Sequence, residues 1–381
     1  MDDRRDPASY ISLKRTFFVY DRDLCKTEAD PPDKMIVFIH PADTSQQTQS
    51  YLAGICSAME EYLSNFTSSP PRVFELERDK FAMRKVGQWV MVLTGLISQN
   101  DSSLCSDLDM IYSAFCFLFG SFKTLLESVK RDDDAFVGLM RDHCVELIPY
   151  IRRLCPYGGA FESVPRTPLP PQCNRFFILA SDILTSLLSE NDNLGGIIMF
   201  DDSVLCTHLD ERLSSHIVTR VESRFKRVPP PPVTPTSMLA PGSNLTMSSM
   251  SSMPVTPGAG VDYESEIITV FVDGETLAAL RQGRPPVAEV GPDAEEQVKY
   301  HADEEGQKGG EFVGLYHLAI GRMTLTVLMN YAAVYSERHI NVTRTLVANK
   351  LATLEAKLAR TLWLAEVRKR TYGRIVYCNM T

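Results

Sequence analysis

The chain has 381 residues, 44% hydrophobic and 23% charged, which is enough apolar material for two or three cored domains and too much for a disordered polymer. A net charge of −9 and a pI near 5.4 argue against a nucleic-acid binder, which would carry a basic face. The most apolar run, MIYSAFCFLFGSF, stops at Lys123 after about a dozen residues, short of the ~20 that cross a bilayer.

The charged start MDDRRDPASY lacks the apolar centre of a secretory signal. Nine cysteines, an odd number with no C-x-x-C pair, are expected as reduced thiols of a cytosolic protein.

In chain order, FFVYD (17–21) and KMIVFIHP (34–41) read as strands joined by the turn-rich CKTEADPPD. A helix follows: Tyr51, Leu52, Ile55, Met59, Tyr62, Leu63 and Phe66 fall at helical spacing, with Thr44 or Ser45 as cap. Val73 to Glu77 is a half-exposed strand, Phe81 to Lys85 extends it or begins another, and Val86-Gly87-Gln88 turns the chain into the apolar strand Val90 to Leu93. A helix from about Asn100 to Val129 carries one stripe through Leu104, Leu108, Ile111, Phe115, Leu118, Phe122, Leu125 and Val129. A second runs from the acidic RDDD turn through Leu139 and Cys144 to about Leu154. The order of elements predicts an α+β class, an antiparallel sheet with helices packed on it.

Residues 12–156 are therefore read as a first domain and the Pro/Gly-rich 157–172 as a linker. A second module spans 173–282: a helix from Arg175, a hairpin GGIIMFDDSVLCTHL turning at Asp201-Asp202, a helix, and a strand EIITVFV followed by one or two helical turns. It is interrupted at 226–262 by a Pro/Ser/Met-rich insert expected to be disordered. The acidic 283–309 is a second linker. A third module, 310–381, comprises a hairpin turning at Gly321-Arg322, a helix from Ile340 to Arg370, and a final strand in YGRIVYCNMT.

The search for chemistry returns little. The seven histidines show neither i, i+4 pairing nor a cysteine at metal-finger spacing, and no P-loop or nucleophile elbow is present. Asp201-Asp202 reads as a turn more readily than as an acid–base pair. Cys105 and His143 are the one conceivable thiol pair, against the plain reading of Cys105 as a small core residue. Lys80, Arg84 and Lys85 form a small basic group, either a charge-protected strand edge or a contact for an acidic partner. No cofactor and no enzymatic bond chemistry are expected.

SPPRVFELERDKFAMRKVGQWVMVLTG (69–95) resembles the tri-longin family of Ccz, Mon and Hermansky–Pudlak proteins, in particular its type-four branch. FFVYD…MIVFIHP, GGIIMFDDSVLCTHL, EIITVFVDGETLAAL, GLYHLAIGRMTLTVLMN and YGRIVYCN are similar to successive parts of the same family. The resemblance implies three longin domains, the third incomplete here, each an antiparallel sheet between helices. It implies a heterodimer with a Hermansky–Pudlak type-one-like or Mon-like subunit, as in the BLOC-three complex. Such complexes are guanine-nucleotide exchange factors for Rab GTPases, cytoplasmic and held peripherally at endosomes or lysosome-related organelles. A Ccz-like subunit is the alternative, and a longin adaptor without exchange activity another. The same resemblance places partner-binding candidates in the first domain: Met35, Val37 and Ile39 on the second strand, Tyr51 and Ile55 on the helix, and Lys80, Arg84 and Lys85 on the hairpin.

Overall fold

The computed structural model describes residues 15–25, 30–66, 72–77, 79–120, 125, 133–153, 173–189, 192–201, 203–224, 263–282 and 310–378. The inter-module segments 157–172, 226–262 and 283–309 lie outside these residues.

The first unit holds β1 (Phe17–Asp21), β2 (Ile36–His40), α1 (Gln46–Ser64), β3 (Val73–Glu75), β4 (Asp79–Val86), β5 (Trp89–Leu96), α2 (Asp101–Phe119), α3 (Asp133–Glu146) and α4 (Ile148–Arg153). Its five strands lie antiparallel in the order β2-β1-β5-β4-β3. The β1 strand is buried along its whole length and β5 from Trp89 to Thr94, which explains why both are apolar at both parities. Phe18, Tyr20, Phe81, Met83, Val90 and Val92 face Leu52, Ala53 and Cys56 of α1. Phe17, Val19, Ala82, Trp89, Met91 and Leu93 face α2, α3 and α4 on the other side.

Local chemistry sets the element ends. Ser45 caps α1 by accepting the Thr48 N–H, and Asn100 caps α2 by accepting the Ser102 N–H. Gly87 takes φ 61° in the β4–β5 turn, a value open to glycine at little cost. The helix expected to reach Val129 ends instead at Gly120, φ 83°. The helix expected from the RDDD turn to Leu154 is two helices, because Pro149 has no N–H to give the Val145 carbonyl.

The second unit holds α5 (Asn174–Leu188), β6 (Asn193–Phe200), β7 (Ser203–Thr207), α6 (Glu211–Arg224), β8 (Tyr263–Val272), α7 (Gly274–Arg281), β9 (Glu311–Ile320), β10 (Met323–Met329), α8 (Tyr331–Val334) and α9 (Glu337–Cys378). Its strands run β7-β6-β10-β9-β8. The α+β class holds, but the described residues make two sheets and not three. The β9–β10 hairpin, expected to found a third domain, pairs through β10 with β6 and through β9 with β8. Residues 173–282 and 310–381 thus contribute to one sheet, and the composition breaks between them interrupt a unit without dividing it. Counted within each unit, both sheets have the order second-first-fifth-fourth-third.

The expected final strand is also corrected. YGRIVYC continues α9 to Cys378. A long helix adds residues without a new nucleation step, whereas a strand needs a neighbour to pair with. The turns hold as read: Gly321 takes φ 55° and Asp201 φ 47°, and Arg322 Nε donates to Asp201 Oδ1 at 2.8 Å.

The two units share a core. Ile197, Met199, Leu315 and Leu328 of the second sheet meet α6 and α7, which continue into the layer of α2, α3 and α4. The far face of the second sheet is covered by α5, α8 and α9, with Val347, Leu351, Leu354 and Leu358 of α9 stepping by four, three and four along the buried side. Cys25, Cys56, Cys105, Cys116, Cys144, Cys173 and Cys206 form no disulfide among the described residues.

Candidate partner-binding surface

The basic group on β4 is not one patch. Side chains alternate across a strand, so Lys80 and Arg84 point to the α2 side while Lys85 points to the α1 side. Lys80 is 7% exposed. It donates to the Gln99 carbonyl at 3.0 Å and to Asp101 at 2.6 Å, and lies 3.5 Å from Glu75. The Asp101 hydrogen bond and charge hold its ammonium above the usual lysine range. Arg84 pairs with Asp109 at 2.6 Å and stacks on Tyr112 at 3.9 Å. Lys85 pairs at 2.8 Å with Glu60, a buried carboxylate that also accepts the Tyr20 hydroxyl at 3.1 Å. All three cations bind helices of their own unit, and tether β4 between them.

Met35, Val37 and Ile39 do not form one contact row either. Met35 ends a 3-10 turn and is buried, and Val37 is 2% exposed. The register of β1 against β2 shifts between Val19 and Tyr20, so Val37 and Phe38 both join the α2-side core while Ile39 packs on the α1 side. The bulge is invisible to a reading that assumes strict alternation.

The α1 helix shows a different arrangement. Its apolar residues form two rows. Leu52, Cys56, Met59 and Leu63 turn inward or lie half-buried. Tyr51, Ala58, Tyr62 and Phe66 step along the outer side, and Ile55 packs against the α1-side core. Tyr51, Tyr62 and Phe66 are 53%, 60% and 70% exposed, and Ile55 is half-buried. The Phe66 N–H bonds to the Leu63 carbonyl at 3.0 Å beyond the helix end, and the Tyr62 and Phe66 rings lie 4.9 Å apart. The sequence signal was present as two four-residue rows one position out of phase. Merged, they read as a single core stripe.

The corresponding helix of the second unit, α6, faces inward. Leu213, Ile217, Val218 and Val221 pack in the shared core. The other side of α6 meets the first unit. His216 Nε2 lies 2.9 Å from Ser113 Oγ, which also accepts Arg212 Nε at 2.7 Å. Tyr150 Oη donates to the His216 carbonyl at 3.1 Å, Arg153 donates to Thr219 at 2.7 Å, and Arg220 pairs with Glu146. Phe117 stacks on the His216 ring at 5.4 Å. Ser113, Phe117, Arg212 and His216 border a cleft of ≈ 290 Å³ that also includes Tyr112, Asp210, Phe271 and Asp273.

A serine–histidine contact invites comparison with a nucleophile and its base. Burial, with help from Arg212, pushes the His216 pKa down to about 3. An imidazole that resists protonation so strongly is a poor general base at neutral pH. The pair serves to tie the units together. Cys105 and His143 do not meet. The His143 ring stacks on Phe119 at 3.9 Å, near the far end of α2 from Cys105, about 20 Å along the helix. Burial raises the Cys105 thiol pKa, the opposite of what an activated nucleophile needs. Among the described residues no group of three or more His, Cys, Asp or Glu side chains is placed to hold a metal ion, and no helix is long and apolar enough to cross a membrane.

An antiparallel five-stranded sheet with a single helix on one face and a helical layer on the other is a longin-like α+β domain, and the chain contains this strand order twice. Residues 15–120 match the family model described as the first Longin domain of INTU, CCZ1 and HPS4. Over 267 residues, 70% of this chain, the sequence is 21% identical to the BLOC-3 complex member HPS4 of Mus musculus. That match takes in 36% of the relative's length.

Proposed function

We propose that this chain is a longin-type subunit of a membrane-trafficking complex, and that the complex is a guanine-nucleotide exchange factor for Rab GTPases. The observation that carries the reading is the outer row of α1. In the second unit the helix at that topological position is a docking face, buried under the first unit. In the first unit the same position presents Tyr51, Tyr62 and Phe66 to solvent. Aromatic side chains exposed in a row on a rigid helix suit a protein partner. The similarity to a BLOC-3 complex member and to the first longin domain shared with CCZ1 supports a partner of the same family: a Hermansky–Pudlak type-one-like or Mon-like subunit.

The mechanism requires no covalent chemistry by this chain and no cofactor. Exchange follows from differential affinity: a complex that binds the nucleotide-free GTPase more tightly than the loaded form expels GDP. The chain would work in the cytoplasm and reach endosomal or lysosome-related membranes through its partners. A longin adaptor that binds a GTPase without exchanging its nucleotide is the second reading, favoured by the same exposed helix.

Nucleotide release separates the two. The chain is co-expressed with type-one-like or Mon-like subunits, and a fluorescent GDP analogue is followed as it leaves a panel of Rab GTPases. Acceleration by the complex and by neither subunit alone is the expected result, and the successful subunit distinguishes the type-four-like from the Ccz-like assignment. A complex that binds a GTPase and leaves its off-rate unchanged would establish the adaptor.

A further inference from the structure

The cleft between the two units, ≈ 290 Å³, lies near the lower end of the volumes that small-molecule pockets have. Both units build it. Ser113 and Phe117 come from α2, Arg212 and His216 from α6, and Phe271 and Asp273 from the end of β8 and the cap of α7.

Two charged groups on this cleft are not used up by the fold. Arg212 donates through Nε to Ser113 Oγ at 2.7 Å, and its two Nη groups meet no partner among the described residues. Asp210 accepts the Leu213 N–H with Oδ1, and its Oδ2 meets none. The two side chains border the same cleft with opposite charge, yet make no salt bridge with each other. The third charge, Asp273, is committed: its oxygens accept the Thr276 N–H and hydroxyl at 2.9 Å each. Burial holds the Asp210 carboxyl above the usual range, against the pull of the Leu213 N–H and Arg212, and the charge of Asp273 adds to the rise. An ammonium group beside Asp210 would offset that cost. The remaining wall is apolar, with the rings of Tyr112, Phe117 and Phe271.

Charge selects the class of ligand. Asp210 and Asp273 repel a phosphate or other simple anion, and Arg212 repels a simple amine. A molecule carrying both signs a few atoms apart satisfies both groups, and the rings suit an apolar substituent. We propose that the cleft binds a free α-amino acid with an apolar side chain. Its carboxylate meets the Arg212 guanidinium, its ammonium meets Asp210 Oδ2, and its side chain lies among Phe117, Phe271 and Tyr112. The bound molecule bridges α2 of the first unit to α6 and α7 of the second, and stabilises the junction. The proposal does not rest on the exchange reading.

The test titrates the full chain with L-phenylalanine in a calorimeter. Saturable binding with a Kd of about 0.1–1 mM is expected for a ligand of this size, with a raised melting temperature and slowed hydrogen exchange at residues 209–213 and 271–276. Phenethylamine lacks the carboxylate, phenylpropionate the ammonium and glycine the side chain; each should bind about tenfold more weakly or worse. Arg212→Gln, at an exposed position, and Asp210→Asn, which keeps an oxygen for the Leu213 N–H, should each weaken L-phenylalanine about tenfold. No saturable binding below about 10 mM would overturn the proposal. So would equal binding of phenethylamine or phenylpropionate, an affinity indifferent to both substitutions, or protection confined to other residues.

Discussion

The helices α1 and α6 occupy the same place in the same strand order, yet one ends in solvent and the other inside the molecule. Both use one side to cover a sheet. The difference lies on the opposite side. In α6 it carries His216, Thr219 and Arg220, each under 8% exposed and bonded to α2, α3 or α4. In α1 it carries the exposed Tyr51, Tyr62 and Phe66. The second side of this helix is thus a docking face in the second unit and an exposed face in the first. It is polar and hydrogen-bonded where the partner is permanent and intramolecular, and aromatic where it stands open.

Four perturbations bear on that comparison. The largest effect is expected inside the junction. Ile217→Ala should cost about 2–5 kcal/mol, because a fully buried side chain of the shared core leaves a cavity. Urea unfolding should stay a single transition. Two resolved transitions would show that the units fold separately and that α6 is not a shared element.

Acid sharpens the same point. Folded His216 remains neutral down to about pH 3, whereas in the unfolded chain it takes up a proton below about 6.5. The unfolded state therefore binds more protons in this window. Its contribution to stability is complete above pH 6.5 and falls as pH drops toward 3, by about 1.4 kcal/mol per unit. His216→Gln should flatten this part of the pH profile relative to the parent chain. Equal slopes would mean that the imidazole is not held neutral at the junction.

A smaller effect is expected at the β4–β5 turn. Gly87 has φ 61° and open space where a Cβ would stand, so Gly87→Ala should cost about 1 kcal/mol through the backbone alone. Thermal denaturation measures it. The smallest effect on stability belongs to the outer row. Tyr62→Ala and Phe66→Ala should change unfolding free energy by no more than about 0.5 kcal/mol, as exposed positions do. A loss of several kcal/mol would mean that these rings support the first unit and are not an open face.

Much of the local structure was legible in the sequence. The glycine turns at Gly87 and Gly321 and the β4–β5 hairpin follow from short-range chemistry, and the α1 cap falls on Ser45, one of the two residues that the sequence offers for it. The second sheet was not legible. Its central pairing joins Asn193–Phe200 to Met323–Met329 across two stretches of different composition, and nothing local to β10 names β6 as its neighbour. The same limit applies to the candidate surface. Lys80, Arg84 and Lys85 are close in sequence, but strand periodicity sends them to opposite faces. Of the two α1 candidates, Tyr51 is exposed and Ile55 packs on the core, while the exposed Tyr62 and Phe66 were read with the rest of the apolar stripe because helical spacing alone does not say which of two adjacent rows faces the sheet.

The most direct test of the docking role of α1 is the affinity of the chain for a co-expressed longin subunit, measured with and without the paired change Tyr51→Asp and Tyr62→Asp. Both positions are exposed, so the variant should unfold at the temperature of the parent chain. Loss of the complex, with binding weakened tenfold or more against an unchanged melting temperature, is the predicted result. A complex of undiminished affinity would contradict the assignment of this face.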